Sequence, residues 1–219
     1  RFLEYKYCRE KDLTPLEKRT RILFTKVVGI LTNSGLRPRE LLTLKWSDIS
    51  NFKEADNQEN VVLHIRAENA KTGRSRNVVC PIKKRLEVIK KTMREIGETV
   101  NADDFVLMNP QKEDRSAYSR QMFHERLKQT LELCGLAEEI RQRQQKVSLY
   151  SFRHQYICWR LRYGGVPIHL IAKNCGTSIQ KIEETYGHIE TEKQADVITR
   201  NQGISKQSEV DLTSMFTID

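Results

Sequence analysis

Thr32-Asn33-Ser34-Gly35-Leu36-Arg37-Pro38-Arg39-Glu40-Leu41-Leu42 is a stretch in which one helix ends and another begins. Gly35 supplies the residue best able to adopt the left-handed backbone that closes a helix. Pro38 suits the first turn of the next one, where its missing N–H costs nothing. Arg37 therefore stands at a helix start, where the partial positive charge of the helix end and a guanidinium act together on an anion such as phosphate. Glu40 is one turn further and can orient Arg37. An ordinary ion pair at spacing i, i+3 is the plain alternative. Upstream, Thr14-Pro15-Leu16-Glu17 reads as a capping box with proline at the first helical position. Leu16, Leu23, Val27, Ile30 and Leu31 then recur at helical spacing up to Asn33-Ser34-Gly35.

Downstream, a second helix starts near Pro38 with Leu41, Leu42 and Leu44, and Trp46-Ser47-Asp48-Ile49 leaves it. Residues 51–59 are polar and loop-like. Val61-Val62-Leu63-His64-Ile65 and Asn77-Val78-Val79-Cys80 read as two strands around the basic turn Lys71-Thr72-Gly73-Arg74, a β-hairpin. Leu86, Ile89, Met93 and Ile96 mark the apolar face of a helix, with Lys83, Lys84, Lys90, Lys91 and Arg94 expected in solvent. Phe105-Val106-Leu107-Met108 is a short apolar run. Helical patterns return at 116–134 and 151–163, with shorter ones at 167–173 and 178–187. The predicted class is mainly α with one small antiparallel sheet, α+β.

The 219 residues, 38% of them hydrophobic, allow one large domain, or one domain with a tail. A net charge of +9 fits a polyanionic partner, and a basic soluble protein without one fits as well. Cys8, Cys80, Cys134, Cys158 and Cys175 have no CxxC spacing and an odd count, which points away from a zinc site or a disulfide framework and toward free thiols in a reducing compartment. No apolar run reaches the length of a membrane span, and no signal peptide opens the chain. The chain opens on Arg1 and reads as a fragment of a longer protein.

Phosphoryl transfer requires donors for the non-bridging oxygens, an in-line nucleophile and an acid for the leaving oxygen. Two further segments carry such groups. One is Leu149-Tyr150-Ser151-Phe152-Arg153-His154-Gln155-Tyr156. The other runs from Leu170-Ile171-Ala172-Lys173-Asn174-Cys175-Gly176-Thr177-Ser178 to Glu184-Thr185-Tyr186-Gly187-His188-Ile189. Taken singly, Arg153 reads as a surface ion pair, His154 as a satisfied buried histidine, and Tyr186 as a core aromatic with a wet hydroxyl.

In combination, G-L-R-x-x-E-L, a basic hairpin turn, x-x-F-R-H, a Gly-Thr-Ser helix start and T-Y-G-H, in this order, resemble the catalytic domain of the tyrosine recombinases, the phage integrase family. The resemblance covers about Leu16 to Ile189. It implies the tyrosine recombinase catalytic-domain fold and DNA cleavage and rejoining through a 3′-phosphotyrosine, without metal, ATP or another cofactor. Arg37 matches the first catalytic arginine and Arg153 the second, both holding the scissile phosphate. Lys71 matches the hairpin lysine that protonates the departing 5′ oxygen, Tyr186 matches the nucleophile, and Glu40 the acid supporting the first arginine. His154 follows the second arginine, as is common in the family. Tyr150 and Thr177 stand where the family usually has histidines. A tyrosine there can hydrogen-bond a phosphate but is a poor base near neutral pH, and a threonine donates one bond and no charge.

The resemblance further implies a catalytic domain over 1–202 and a tail over 203–219. That tail, with Leu212, Met215, Phe216 and Ile218, would dock either on a neighbouring protomer or back on its own domain. The family's N-terminal core-binding domain is absent from these residues. Expected partners are double-stranded DNA, other protomers in a tetramer on paired sites, and accessory DNA-bending proteins, with no membrane. The expected location is the cytoplasm of a prokaryote, at the nucleoid. Two rival readings are a catalytically silent DNA-binding protein of the same fold and a type IB topoisomerase-like enzyme.

Overall fold

The computed structural model of the chain describes residues 13–51 and 59–187. The first helix, α1, spans Pro15–Ser34 and buries Leu23, Phe24, Val27, Ile30 and Leu31 along one side. The Thr14 hydroxyl accepts from the Glu17 amide at 3.1 Å. The reciprocal half of the expected capping box does not form. The Glu17 carboxylate instead takes Arg21 at 3.1 Å and Arg126 at 3.2 Å, because two cations outcompete one backbone amide.

Gly35 closes α1 in the left-handed region, φ 67°, with its amide on the Leu31 carbonyl at 3.2 Å. A Cβ on Gly35 would lie 2.6 Å from the Tyr156 ring and 2.8 Å from the Cys175 sulfur. Gly35→Ala is therefore expected to destabilise the fold. The left-handed backbone costs about 1–2 kcal/mol, overpacking adds about 1–3 kcal/mol, and Tm should fall by roughly 5–15 °C. A melting curve unchanged from that of the unaltered chain contradicts this packing.

The second helix, α2, is only Pro38–Leu42. Trp46–Asp48 forms a 3-10 turn that leads into β1, Ile49–Ser50, the first strand of a three-stranded antiparallel sheet with β2, Val61–Ile65, and β3, Arg76–Cys80, in the order β1-β2-β3. The hairpin read from sequence is present, with Leu63 opposite Val78 and Ile65 opposite Arg76. The strand added to that hairpin, β1, is two residues long, too short to leave an alternation. Alternation does hold where it can: Val61, Leu63 and Ile65 are buried and His64 is exposed.

Helix α3, Lys83–Arg94, buries Leu86, Ile89 and Met93. Two expectations for it need correction. Lys83 is buried, since its amide bonds the Glu59 carbonyl and seats the first turn against the sheet rather than in water. Ile96 lies beyond the helix end and is exposed. Phe105–Met108 is held by single bridges, Lys45 to Phe105 and Met108 to Ala117. That pairing keeps 116–119 extended, so α4 spans Arg120–Leu133 instead of starting at 116. A left-handed Gly135 then starts α5, Leu136–Gln142, a short helix that buries none of its residues.

Helices α6, Ser151–Tyr163, and α7, Ile168–Cys175, follow the sequence reading closely. A last helical segment, α8, covers 179–187. The main core joins α1, α3, α4 and the sheet. A separate apolar cluster, Tyr156, Ile157, Ile171, Ala172, Cys175, Ile182 and Tyr186, ties α6, α7 and α8 together. No helix among the described residues is long and apolar enough to cross a membrane. The tail over 203–219 lies outside the described residues.

Candidate active site

The centre of the site is a carboxylate out of reach of water. The Glu40 side chain is 0% exposed and is shared by two guanidiniums. Arg37 donates through Nη1 to Oε1 at 2.9 Å and through its backbone amide to Oε2 at 2.8 Å. Arg76 grips the same carboxylate with two nitrogens, Nη1 to Oε1 at 2.9 Å and Nη2 to Oε2 at 2.8 Å. Burial alone would raise the pKa of Glu40. The hydrogen bonds and charges of Arg76 and Arg37 outweigh that and hold it below the ordinary carboxylate value, so it stays ionised.

Arg37 does not point freely outward, as a simple helix-start reading expects. Its Nη2 donates to the Gly176 carbonyl at 2.8 Å, and Nη1 reaches the Cys175 carbonyl at 3.5 Å. The cation is thus pinned to the C-terminal end of α7, where the helix carries partial negative charge. Its Nε and one Nη2 hydrogen make no bond among the described residues, and these remain for an anion.

Arg153 enters from the first turn of α6, is 2% exposed, and donates to the Gly35 carbonyl at 2.5 Å. Burial lowers its pKa from the ordinary arginine value, and the charge of Arg37 works in the same direction. Three guanidiniums, Arg37, Arg76 and Arg153, gathered around the one buried carboxylate of Glu40 leave a local excess of positive charge, which favours an anionic ligand.

The residue after Arg153 faces the other way. The Tyr186 hydroxyl lies 2.5 Å from His154 Nδ1, and the two rings are 5.7 Å apart. Tyr186 is 7% exposed, and burial, followed by the neighbouring Cys158 and Tyr150, raises its pKa well above the ordinary tyrosine value. It is a phenol at neutral pH and donates this bond. Burial, then the charge of Arg153, lowers the pKa of His154, so the ring is neutral and accepts on Nδ1. Tyr150 is 41% exposed and stacks edge-on against His154 at 5.0 Å, with the Arg153 guanidinium 6.0 Å from its ring. It lines the site and makes no hydrogen bond to Tyr186. An imidazole does stand in the site, at position 154, one helical turn on from Tyr150.

Thr177 is half-buried just after α7, its amide on the Ala172 carbonyl at 3.0 Å. Lys71 is exposed in the turn between β2 and β3 and makes no ion pair among the described residues. The site therefore assembles Arg37, Glu40, Arg153, His154, Tyr150 and Tyr186, with Thr177 on the same joint as Gly176, and holds Lys71 at a loop tip.

Sequence reasoning missed Arg76 and Asn174. Asn174 joins α7 to three neighbours: its Oδ1 takes the Val79 amide at 3.0 Å, and its Nδ2 donates to the Ser34 carbonyl at 3.3 Å and the Tyr156 hydroxyl at 3.1 Å. A signal for Arg76 was present. It shares a strand face with the buried Val78 and Cys80, and an arginine on a buried face requires a buried acid. No group of three or more His, Cys, Asp or Glu side chains among the described residues could hold a metal.

Known proteins resemble both the sequence and the fold. The family model described as "Phage integrase family" matches residues 5–193. No curated protein matches the chain. Among solved structures, the XerH site-specific recombinase bound to palindromic difH substrate, a post-cleavage complex, superposes with a TM-score of 0.62 and 18% identity, over 90% of this chain and 49% of that one. The pre-cleavage complex of XerH with difH substrate gives 0.60 and 19%, over 90% and 50%. XerA recombinase gives 0.55 and 20%, over 86% and 65%. The chain spans about half the length of the XerH chains it matches, and at these identities the likeness is one of fold. The sequence match across most of the chain goes further, and by it the protein belongs to the phage integrase family.

Proposed function

We propose that the chain is the catalytic domain of a site-specific DNA recombinase that cleaves and rejoins duplex DNA through a covalent link to Tyr186. The observation that carries this reading is the Tyr186 hydroxyl seated on a neutral His154, one residue along α6 from the buried Arg153. The phenol oxygen attacks the scissile phosphorus, and His154 takes its proton. Arg37 and Arg153 hold the non-bridging oxygens as charge builds in the pentavalent transition state. The 5′ oxygen leaves with a proton from Lys71, which an exposed loop-tip lysine can deliver once DNA lies across the hairpin. The product is a 3′-phosphotyrosine diester and a free 5′ hydroxyl. Because a diester has been exchanged for a diester, a second 5′ hydroxyl can reverse the step on a new strand without ATP, and no metal is needed to activate water.

Duplex DNA is the substrate, and further protomers on paired sites are the partners for strand exchange. Residues 203–219 would dock on such a neighbour. The XerH structures, titled as substrate-bound complexes before and after cleavage, are consistent with this role. A pool of nicked duplexes of randomised sequence tests it. The nick lets a short strand diffuse away after cleavage, which traps the adduct. Covalent capture of a defined subset of sequences supports the reading, and an absence of any capture overturns it.

The acid and the base are separately testable. Lys71→Ala should slow cleavage of ordinary DNA by about 10²–10⁴-fold, the usual worth of a positioned acid. A 5′-phosphorothiolate, whose sulfur leaves without a proton, should restore the rate. No restoration places the acid elsewhere. Acidification should protonate His154 and remove the acceptor for the Tyr186 proton. The pKa of His154 is lowered, so single-turnover cleavage should hold constant down to pH 6.5 and fall only below that ordinary histidine value. His154→Phe should be slow throughout and lack this acid limb. A limb of the same midpoint in the Phe variant contradicts the assignment.

A further inference from the structure

Arg76 lies in none of the motifs quoted above, yet all three nitrogens of its guanidinium are bonded within the site. Its side chain is 10% exposed, and each of its three nitrogens donates: two to the buried Glu40 and Nε to the Asn174 carbonyl at 3.1 Å. Between them, Arg76 and Arg37 hold the carbonyls of Asn174, Cys175 and Gly176, three consecutive residues at the end of α7. This joint leads directly into the segment 179–187 that carries Tyr186. Gly176 sits there at φ 63°, and a Cβ on it would lie 2.7 Å from the Arg76 guanidinium carbon. Arg76 thus ties β3, at the base of the hairpin bearing Lys71, to both the Arg37 support and the Tyr186 joint.

The division of the Glu40 carboxylate matters most. Arg76 occupies it with a two-nitrogen fork, so Arg37 is held by a single guanidinium nitrogen and its own backbone amide. That leaves Arg37 donors for Gly176 and for an anion. Without Arg76, the stable geometry for an arginine on a carboxylate is the same fork, and Arg37 is free to close onto Glu40 and withdraw a donor from the phosphate.

We propose that Arg76 is a positioning residue for DNA cleavage, which fixes Arg37 in its phosphate-facing setting by claiming the forked face of Glu40 and clasping the α7 joint. This rests on the recombinase reading above. Lysine cannot substitute, because one nitrogen cannot span two carboxylate oxygens and a carbonyl. Arg76→Gln leaves Arg37 to neutralise Glu40, so the buried carboxylate keeps a cation and the fold is retained.

The test compares Arg76→Lys and Arg76→Gln in the full chain on two captured duplexes, one with an ordinary scissile phosphodiester and one with a methylphosphonate there, in which a methyl group replaces a non-bridging oxygen. On the phosphodiester, both variants should form the Tyr186 adduct about 100-fold more slowly than the unaltered chain, the scale of a small misplacement. On the methylphosphonate, which carries no charge for Arg37 to hold, their rates should approach that of the unaltered chain. A loss of folded protein would lower both rates together, and thermal melts report the folded fraction for each variant. Equal slowing on both substrates by folded protein, or no slowing on either, overturns the role of Arg76 alone. An unaltered chain that forms no Tyr186-dependent adduct overturns the recombinase reading and this proposal with it.

Discussion

Tyr186→Phe is expected to eliminate covalent attachment to DNA while leaving noncovalent binding within about twofold. The substitution removes one oxygen, and that oxygen is the proposed nucleophile, so no slower route to the same adduct exists. The ring stays where it is, packed at 7% exposure in the cluster with Ile157, Ile171 and Ile182. The cost to folding is one hydrogen bond, to His154 Nδ1, or about 1 kcal/mol. A gel-shift titration run beside a denaturing gel separates the two effects. A Phe variant that still yields a protein–DNA adduct contradicts the assignment, and so does one whose DNA binding collapses, since that would make Tyr186 a structural residue.

Arg153→Ala should produce the second largest loss. Arg153 is 2% exposed and is one of the two guanidiniums proposed to hold the phosphate. Removing a single preorganised donor from a site of developing negative charge costs about 10²–10³-fold, and removing a whole cation should reach at least the upper end. The variant also loses the bond to the Gly35 carbonyl at the end of α1, so Tm should fall as well. Arg153→Lys keeps a cation and separates the contributions: stability should largely return, while cleavage stays far below that of the unaltered chain, because a point charge does not reproduce the fork. Single-turnover cleavage by the Lys variant at the unaltered rate would show that the guanidinium geometry is irrelevant.

What the sequence disclosed, and what it did not, follows from the range of the interactions. Helix α6 was legible to the residue because its limits are local, and the hairpin was legible because two short apolar runs flank a basic turn, with Val61, Leu63 and Ile65 buried between the half-buried Val62 and the exposed His64. β1 is two residues long and α5 has no buried residue, so neither leaves a period to read. Arg37 and Glu40 are three apart and their pairing was visible. Their second partner, Arg76, lies 36 residues from Glu40, and only the inward face of β3 hinted at it. The bond between His154 and Tyr186 spans 32 residues. It depends on how α7 turns the chain at Gly176, and spacing does not encode that. Tyr150 and Thr177 looked like two lost imidazoles. In the fold the Tyr186 hydroxyl is bonded to the imidazole of His154, at a different position.

The central claim is that Tyr186 becomes joined to DNA, and the most direct measurement is to identify the joined residue. The unaltered chain is incubated with a captured nicked duplex in the presence of a chelator, digested with a protease, and the nucleotide-bearing peptide is sequenced by mass spectrometry. The account predicts a single modified peptide, with the nucleotide mass on Tyr186 through its 3′ phosphate. A modification on any other residue, or the strand released with a 5′ phosphate and no protein attached, would contradict it.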